Sequence, residues 1–418
     1  MPDLEAEFSR LLLYLSLCLL AAKLGGLLAL RLRQPSVFGE LLVGILLGPS
    51  VVGWVSREFW GSCWCLDPQS QAGIFIHSLA EIGIITLMFL AGLSIDVDEL
   101  RKAGRPATIV ATLGVLVAFL FGFSLASVYK WSWKEAAFAG GILVATSVGL
   151  TVRSLLDLHR LSTRAGMVIL GAAVIDDVFG IIILSLLVGL VYGGISAFGL
   201  FQSLALMAAF FILVLVGGMR VGPRILARVS HWRVEEATLS VGMALALLVA
   251  ALAETVNVAA ITGAFLVGLV LSRSPVAGFL RDRVSTVGYG FLIPLFFVDT
   301  GIQTDLGALR GLGLLALLLF LAVSVVSKVV GCGLGGLLGG LGKRDSVRVG
   351  VGMIPRAEVA LIIAAIGVRA GVVGGELFSL TVLMVLFTSL LTPPLLKWAF
   401  SEGEAPSVRR GSRKVGGV

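Results

Sequence analysis

The sequence predicts an all-α polytopic membrane protein: 13 transmembrane helices, as two inverted repeats of six plus a linker helix, with two discontinuous helices that cross. Three observations point to this class. The chain is 58% hydrophobic and only 14% charged, with a mean hydropathy of +1.04, a profile that water-soluble domains do not carry. Apolar stretches of bilayer-crossing length recur along it, in place of the alternating ten-residue segments of a barrel. The net charge of +7 gathers in connections on one side of these stretches, as cytoplasmic loops do, and no basic patch interleaved with aromatics suggests nucleic acid.

The spans read, in order, 9–30, 37–55, 72–93, 106–128, 136–154, 165–191, 199–219, 237–254, 257–272, 286–301, 312–340, 348–368 and 377–399. Asp3, Glu5 and Glu7 precede the first, where a cleavable signal would need basic residues. Most Lys and Arg fall after odd-numbered spans, among them Arg101, Lys102 and Arg105, then Arg153, Arg160 and Arg164, then Arg220, Arg224, Arg228 and Arg233. That asymmetry puts the N-terminus outside and the C-terminus in the cytoplasm. Connections are too short for an inserted domain. After Lys397 a basic tail with Arg409, Arg410, Arg413 and Lys414 is expected to be disordered, without the strand and glycine motif of a regulatory nucleotide-binding domain. Cys18 and Cys332 read as small hydrophobes within spans. Cys63 and Cys65 are too close for an unstrained disulfide, and with no second Cys or His cluster nearby they imply no metal site, so no cofactor is expected.

An internal repeat supports the symmetry. Gly39-Glu40-Leu41-Leu42-Val43-Gly44 in span two matches Gly263-Ala264-Phe265-Leu266-Val267-Gly268 in span nine. Gly92-Leu93-Ser94-Ile95-Asp96 closing span three matches Gly301-Ile302-Gln303-Thr304-Asp305 closing span ten. Both matches are offset by seven spans, an odd number, so the halves lie upside-down relative to each other, with span seven between them. The same offset pairs span five with span twelve. Both carry breaks: Ala145-Thr146-Ser147-Val148-Gly149 in one, and Met353-Ile354-Pro355-Arg356 in the other, where proline removes a donor. Interruptions at corresponding positions of two halves point to a substrate site.

Charges at membrane depth carry the chemistry. Asp176 and Asp177 sit side by side in a segment, 165–191, that holds no other charge. Each costs about 2.5–3.5 kcal/mol to insert, so each needs a partner, a cavity or a function. Lys328 is the one charge between Gly311 and Gly342. It can compensate the negative ends of interrupted half-helices, or pair with one aspartate, and these readings are compatible. Neighbouring residues on a helix point about 100° apart, so one aspartate can face Lys328 while the other faces a water-filled cavity. A carboxylate there holds a proton or a hard cation, and competition between them, with alternating access, gives exchange. Glu40 and Glu81 read as structural charges. Glu254 and Asp299 lie near span ends, and Arg356 and Glu358 can pair across the break at Pro355.

The stretches Phe38 to Ser50, Phe89 to Leu93, Ala145 to Thr151, Gly171 to Asp177, Phe296 to Gly301, Ser327 to Cys332 and Gly352 to Val359 together resemble the second branch of the monovalent cation:proton antiporters. These are the sodium/proton and potassium/proton exchangers with the NhaA-like fold. The resemblance implies that Asp177 is the ion- and proton-binding carboxylate, that Asp176 pairs with Lys328, that Thr146 and Ser147 line the site at the first crossing, and that Arg356 and Glu358 occupy the second interrupted helix. Asp176 and Asp177 would thus bind the transported cation. It also implies a division: 1–105 and 237–311 as a dimerisation scaffold, 106–191 and 312–399 as an ion-translocating core, 192–236 as the linker and 400–418 as the tail. The expected activity is antiport of Na+, or of Li+ or K+, against H+ by a homodimer in the lipid bilayer of a prokaryotic plasma membrane. A potassium exchanger or efflux protein without its regulatory domain is the nearest alternative, and a sodium-coupled solute symporter a distant one. The sequence departs from the family at Ala357, where glycine is usual, and at Ser94, where glutamate is. An intramembrane aspartyl protease needs its acids on separate helices, which adjacent residues cannot supply, so no enzyme activity is expected.

Overall fold

At membrane depth no water satisfies the main chain, so an apolar stretch must close its hydrogen bonds within itself, as a helix does. The computed structural model describes residues 2–49, 51–53, 68, 70–95, 97–192, 197–303, 313–356 and 358–401, and all regular structure among them is helical. In chain order the helices are α1 Pro2–Arg31, α2 Ser36–Leu47, α3 Gln71–Leu93, α4 Val97–Ser124, α5 Trp133–Val144, α6 Val148–Asp157, α7 Arg164–Tyr192, α8 Ala197–Ile212, α9 Gly218–Val229, α10 Ala237–Thr255, α11 Ala260–Leu271, α12 Ala277–Val287, α13 Ile293–Ile302, α14 Leu314–Leu338, α15 Lys343–Gly352, α16 Glu358–Arg369 and α17 Gly375–Ser401. A single further turn, Ala126–Tyr129, follows α4.

Ten helical stretches are long and apolar enough to cross a bilayer, and Ser36–Leu47, Ala260–Leu271 and Val359–Arg369 are shorter apolar helices. Each predicted span falls on one of these stretches, but several ends differ. Span seven was expected to stop at 219, yet α8 runs through a π-helical segment, Leu213–Gly217, into α9 and on to Val229. Span ten was expected from 286, yet α12 begins at Ala277 and joins α13 through a second π segment, Gly288–Leu292. In both cases hydropathy finds only the apolar part of a helix whose charged end (Arg220, Arg224 and Arg228; Arg281 and Arg283) continues past it. The cysteines at 63 and 65, the acids at 96 and 305, Ala357 and the basic tail lie outside the described residues.

Small residues set the closest approaches. A Cβ on Gly44 of α2 would sit 2.9 Å from Gly301 Cα of α13, and one on Gly92 of α3 would sit 2.9 Å from Gly268 Cα of α11. Real side chains do not tolerate such contacts, so glycine is what lets these helix pairs touch backbone to backbone. The α4–α14 contact is similar: a Cβ on Gly335 would lie 2.6 Å from Val110 Cα. Helix α4 packs against α5, α7 and α14, while α17 packs against α14, α15 and α16. Helices α1 and α13 pack on each other and on both α2 and α3, and α11 packs on α3, α9 and α10.

Candidate functional site

The site begins with the two breaks. Helix α5 stops at Val144, and Ala145, Thr146 and Ser147 leave helical geometry before α6 starts at Val148. Helix α15 stops at Gly352, and Met353 to Arg356 run free of helix before α16. Pro355 has no N–H and cannot continue a helix. The breaks lie against each other and exchange the hydrogen bonds that each gives up. Ser147 N donates to Pro355 O at 2.8 Å, and the buried Thr151 Oγ1 donates to Gly352 O at 2.7 Å. Arg356, fully buried, donates from Nη1 to Ala145 O at 2.8 Å and from Nη2 to Ser324 O on α14 at 3.1 Å, while its main-chain N–H reaches Thr388 Oγ1 at 3.2 Å. The guanidinium thus caps the carbonyl end of α5, where a helix carries partial negative charge.

One helical turn beyond Ser324, Lys328 also has no exposed surface. Its Nζ lies 3.3 Å from both carboxylate oxygens of Asp176, which is 3% exposed. A buried ion is tolerated only with such a partner, because desolvating either charge alone costs several kcal/mol. Asp177, next along α7, is half-buried and turned elsewhere. Its Oδ2 accepts a 2.7 Å hydrogen bond from Thr262 Oγ1 in the first turn of α11.

Thr146 is half-buried, and its hydroxyl lies 3.4 Å from Val144 O. Ser147 lines a cavity of about 160 Å³ together with His77, Glu81, Asp299, Gln303 and Ser389. There His77 Nδ1 is 2.9 Å from Asp299 Oδ2, and Gln303 Nε2 donates to the same oxygen at 2.6 Å. Asp299, read from sequence as close to water at a span end, is only 5% exposed and held by these partners. The Glu358 side chain lies outside the described residues, so the expected Arg356–Glu358 pairing does too. The guanidinium bonds of Arg356 within the described residues go to main-chain carbonyls.

Two features escaped the sequence reading. Thr262 was not singled out, because a threonine in an apolar stretch carries no signal: its hydroxyl can always bond its own helix. Arg153 was counted with the connection charges, yet it is 5% exposed within α6. It pairs with Glu40 of α2 at 3.4 Å and with Asp157 at 3.3 Å, and its guanidinium stacks over Tyr289 at 4.3 Å. Ser36 Oγ donates to Asp157 Oδ2 at 2.8 Å. Only part of the signal was available: Glu40 lies inside span two, whereas Arg153 and Asp157 stand at and just past the end of span five, where they read as connection charges.

Among the described residues, no three His, Cys, Asp or Glu side chains gather as they would around a resident metal. The oxygens of Asp176 and Asp177 are suited to a hard monovalent cation as cargo.

A helical membrane protein with two facing helix breaks, and ionisable groups buried beside them, has the build of a secondary ion carrier. The profile described as "Sodium/hydrogen exchanger, transmembrane" matches residues 18–401, and the chain belongs to that family. It is 32% identical over 386 residues to the Na(+)/H(+)-K(+) antiporter GerN of Bacillus cereus, covering 92% of this chain and 95% of that one. It is 32% identical over 385 residues to an Na(+)/H(+) antiporter of Enterococcus hirae, covering 92% and 96%. With the high-affinity Na(+)/H(+) antiporter NhaS3 of Synechocystis it shares 33% over 427 residues, covering 94% and 91%. Among solved structures, the sodium proton antiporter MjNhaP1 of Methanocaldococcus jannaschii superposes with a TM-score of 0.60 at 17% identity, covering 94% of this chain and 97% of that one. At that identity the likeness concerns the fold.

Proposed function

We propose that the protein is a secondary antiporter that exchanges Na+ for H+ across the membrane by alternating access of Asp177. The observation that carries this reading is the division of labour between adjacent acids. Asp176 is locked to Lys328, whereas Asp177 is half-buried and turned to the other side, where its Oδ2 accepts a hydrogen bond from Thr262. A carboxylate in that setting takes a proton or a hard cation but not both. Two relatives at 32% identity, both Na(+)/H(+) antiporters by name, support it.

Asp176, Lys328 and Arg356 set the electrostatics, and Thr146, Ser147 and Glu358 border the breaks. Helices α4 to α7 and α14 to α17, which pack chiefly on each other, form the moving core in this reading. The remaining helices form the scaffold, with α8 and α9 as linker. The glycine contacts support thirteen crossings in inverted halves: a seven-span shift converts Gly44 into Gly268 and Gly301 into Gly92, and it turns one touching pair into the other. The exposed leucines of α1, among them Leu13, Leu20 and Leu24, suit lipid or a second copy in a homodimer. The N-terminus lies outside and the C-terminus in the cytoplasm of a prokaryotic plasma membrane.

Because the Bacillus cereus relative's name includes K+, K+ is the second cation to test. In proteoliposomes with an internal pH dye, Na+ or Li+ added outside should move protons, with K+ as the comparison. A wild-type protein silent to every alkali cation would overturn the reading. Asp177→Asn should abolish the response.

A further inference from the structure

Thr262 stands apart from most other buried hydroxyl residues. Thr86, Ser154, Thr381, Thr388 and Thr392 all donate to the carbonyl four residues back on their own helix, which is what a hydroxyl in an apolar helix ordinarily does. Thr262, 2% exposed, instead donates at 2.7 Å to a carboxylate 85 residues away. It does so from the first turn of α11, where unpaired N–H groups favour negative charge.

The bond also joins two groups of helices. Helix α7 packs on α4, α5, α6, α15 and α16, while α11 packs on α3, α9 and α10. Movement of one group past the other therefore breaks the Asp177–Thr262 bond at the transport carboxylate itself. A hydrogen bond to an ionised carboxylate is worth about 1.5–3 kcal/mol, and one to a neutral acceptor about 0.5–1.5 kcal/mol. The tether is thus strong while Asp177 bears its charge and weak once a proton or a cation neutralises it.

We propose that Thr262 is the coupling residue of the exchange cycle: its hydroxyl holds α7 against α11 while the carboxylate is charged and releases it when either substrate binds. The inference rests on the antiporter reading and deepens it. Obligatory exchange requires that the unloaded carrier stay put, because an unloaded carrier that crosses turns an exchanger into a leak. A hydroxyl that senses the carboxylate's charge supplies that restraint with no second site.

The test compares wild type, Thr262→Val, which keeps the shape and removes the hydroxyl, and Thr262→Ser, which keeps the hydroxyl. In proteoliposomes loaded with tracer Na+ and an internal pH dye, Na+ efflux into cation-free medium that is not matched by H+ uptake reports uncoupled crossing. The same vesicles under a pH gradient report coupled exchange. The expected result is a ratio of uncoupled to coupled flux raised about tenfold in Thr262→Val and near wild type in Thr262→Ser. A purely structural role would lower both fluxes and leave the ratio alone. An unchanged ratio in Thr262→Val, or equal leaks in the Val and Ser variants, overturns the proposal while leaving the antiporter standing. A wild type that couples no proton movement to Na+ removes both.

Discussion

A lysine without exposed surface finds its hydrogen-bond acceptor, among the described residues, in a carboxylate 152 residues away. Replacing Lys328 with alanine leaves Asp176 buried without its counter-ion, and breaking such a pair from one side costs about 3–5 kcal/mol. Thermal unfolding in detergent should therefore show Lys328→Ala well below wild type, Lys328→Arg between them, and the double variant Asp176→Asn/Lys328→Met recovering part of the loss. Unchanged unfolding in Lys328→Ala would mean that the ion pair stabilises nothing. The acid pair and Lys328 could be read from sequence because a charge inside an apolar stretch is expensive and must be explained. The hydrogen-bond partners of Arg356 could not. Its acceptors are main-chain carbonyls of α5 and α14, and every residue carries a carbonyl, so only the three-dimensional meeting of the breaks selects them.

Helix against helix, the discriminating residues are glycines. A Cβ on Gly301 would lie 2.7 Å from Gly44 Cα, whereas one on Gly104 of α4 meets nothing within 4 Å. Gly301→Val should force α13 off α2 and lower expression and melting temperature sharply. Gly104→Ala should be neutral or stabilising by about 0.5–1 kcal/mol, since alanine is the better helix former. Similar behaviour of the two variants would show that the close approach is not needed. The long apolar helices were legible from apolar length, and the breaks from Pro355 and from the Thr146-Ser147 run. The ends of α9 and α12 were not, because arginines on a helix and arginines in a loop look alike to a hydropathy window.

Across the whole molecule, the Arg153 cluster ties α6, the half-helix beyond the first break, to α2 through Glu40 and Ser36 and to the α12–α13 junction through Tyr289. If α6 moves with the core, this cluster must part in every cycle. Cysteines at Ser36 and Asp157, whose side chains lie 2.8 Å apart, can be bridged by a short bifunctional thiol reagent in a background where Cys63 and Cys65 are serine. Cys18 and Cys332 are buried and out of reach. Bridging should stop exchange and a reductant should restore it; full activity with the bridge in place would exclude relative motion of α2 and α6. The cluster shows where sequence reading runs out at this scale. Individual charges announce themselves, but which of them meet across the interface depends on how the two groups of helices dock.

The distance in sequence between Asp176 and Lys328 also has a consequence for how the protein is made. The ribosome delivers α7 well before α14, so the aspartates enter the bilayer while their counter-ion is still unsynthesised, each at about 2.5–3.5 kcal/mol. Helix α14 then inserts against an acid already waiting for it, which offsets the penalty of carrying a lysine into lipid. Biogenesis is in this sense ordered by charge: the first half of the polypeptide is left electrically incomplete, and the second half finds its place by completing it.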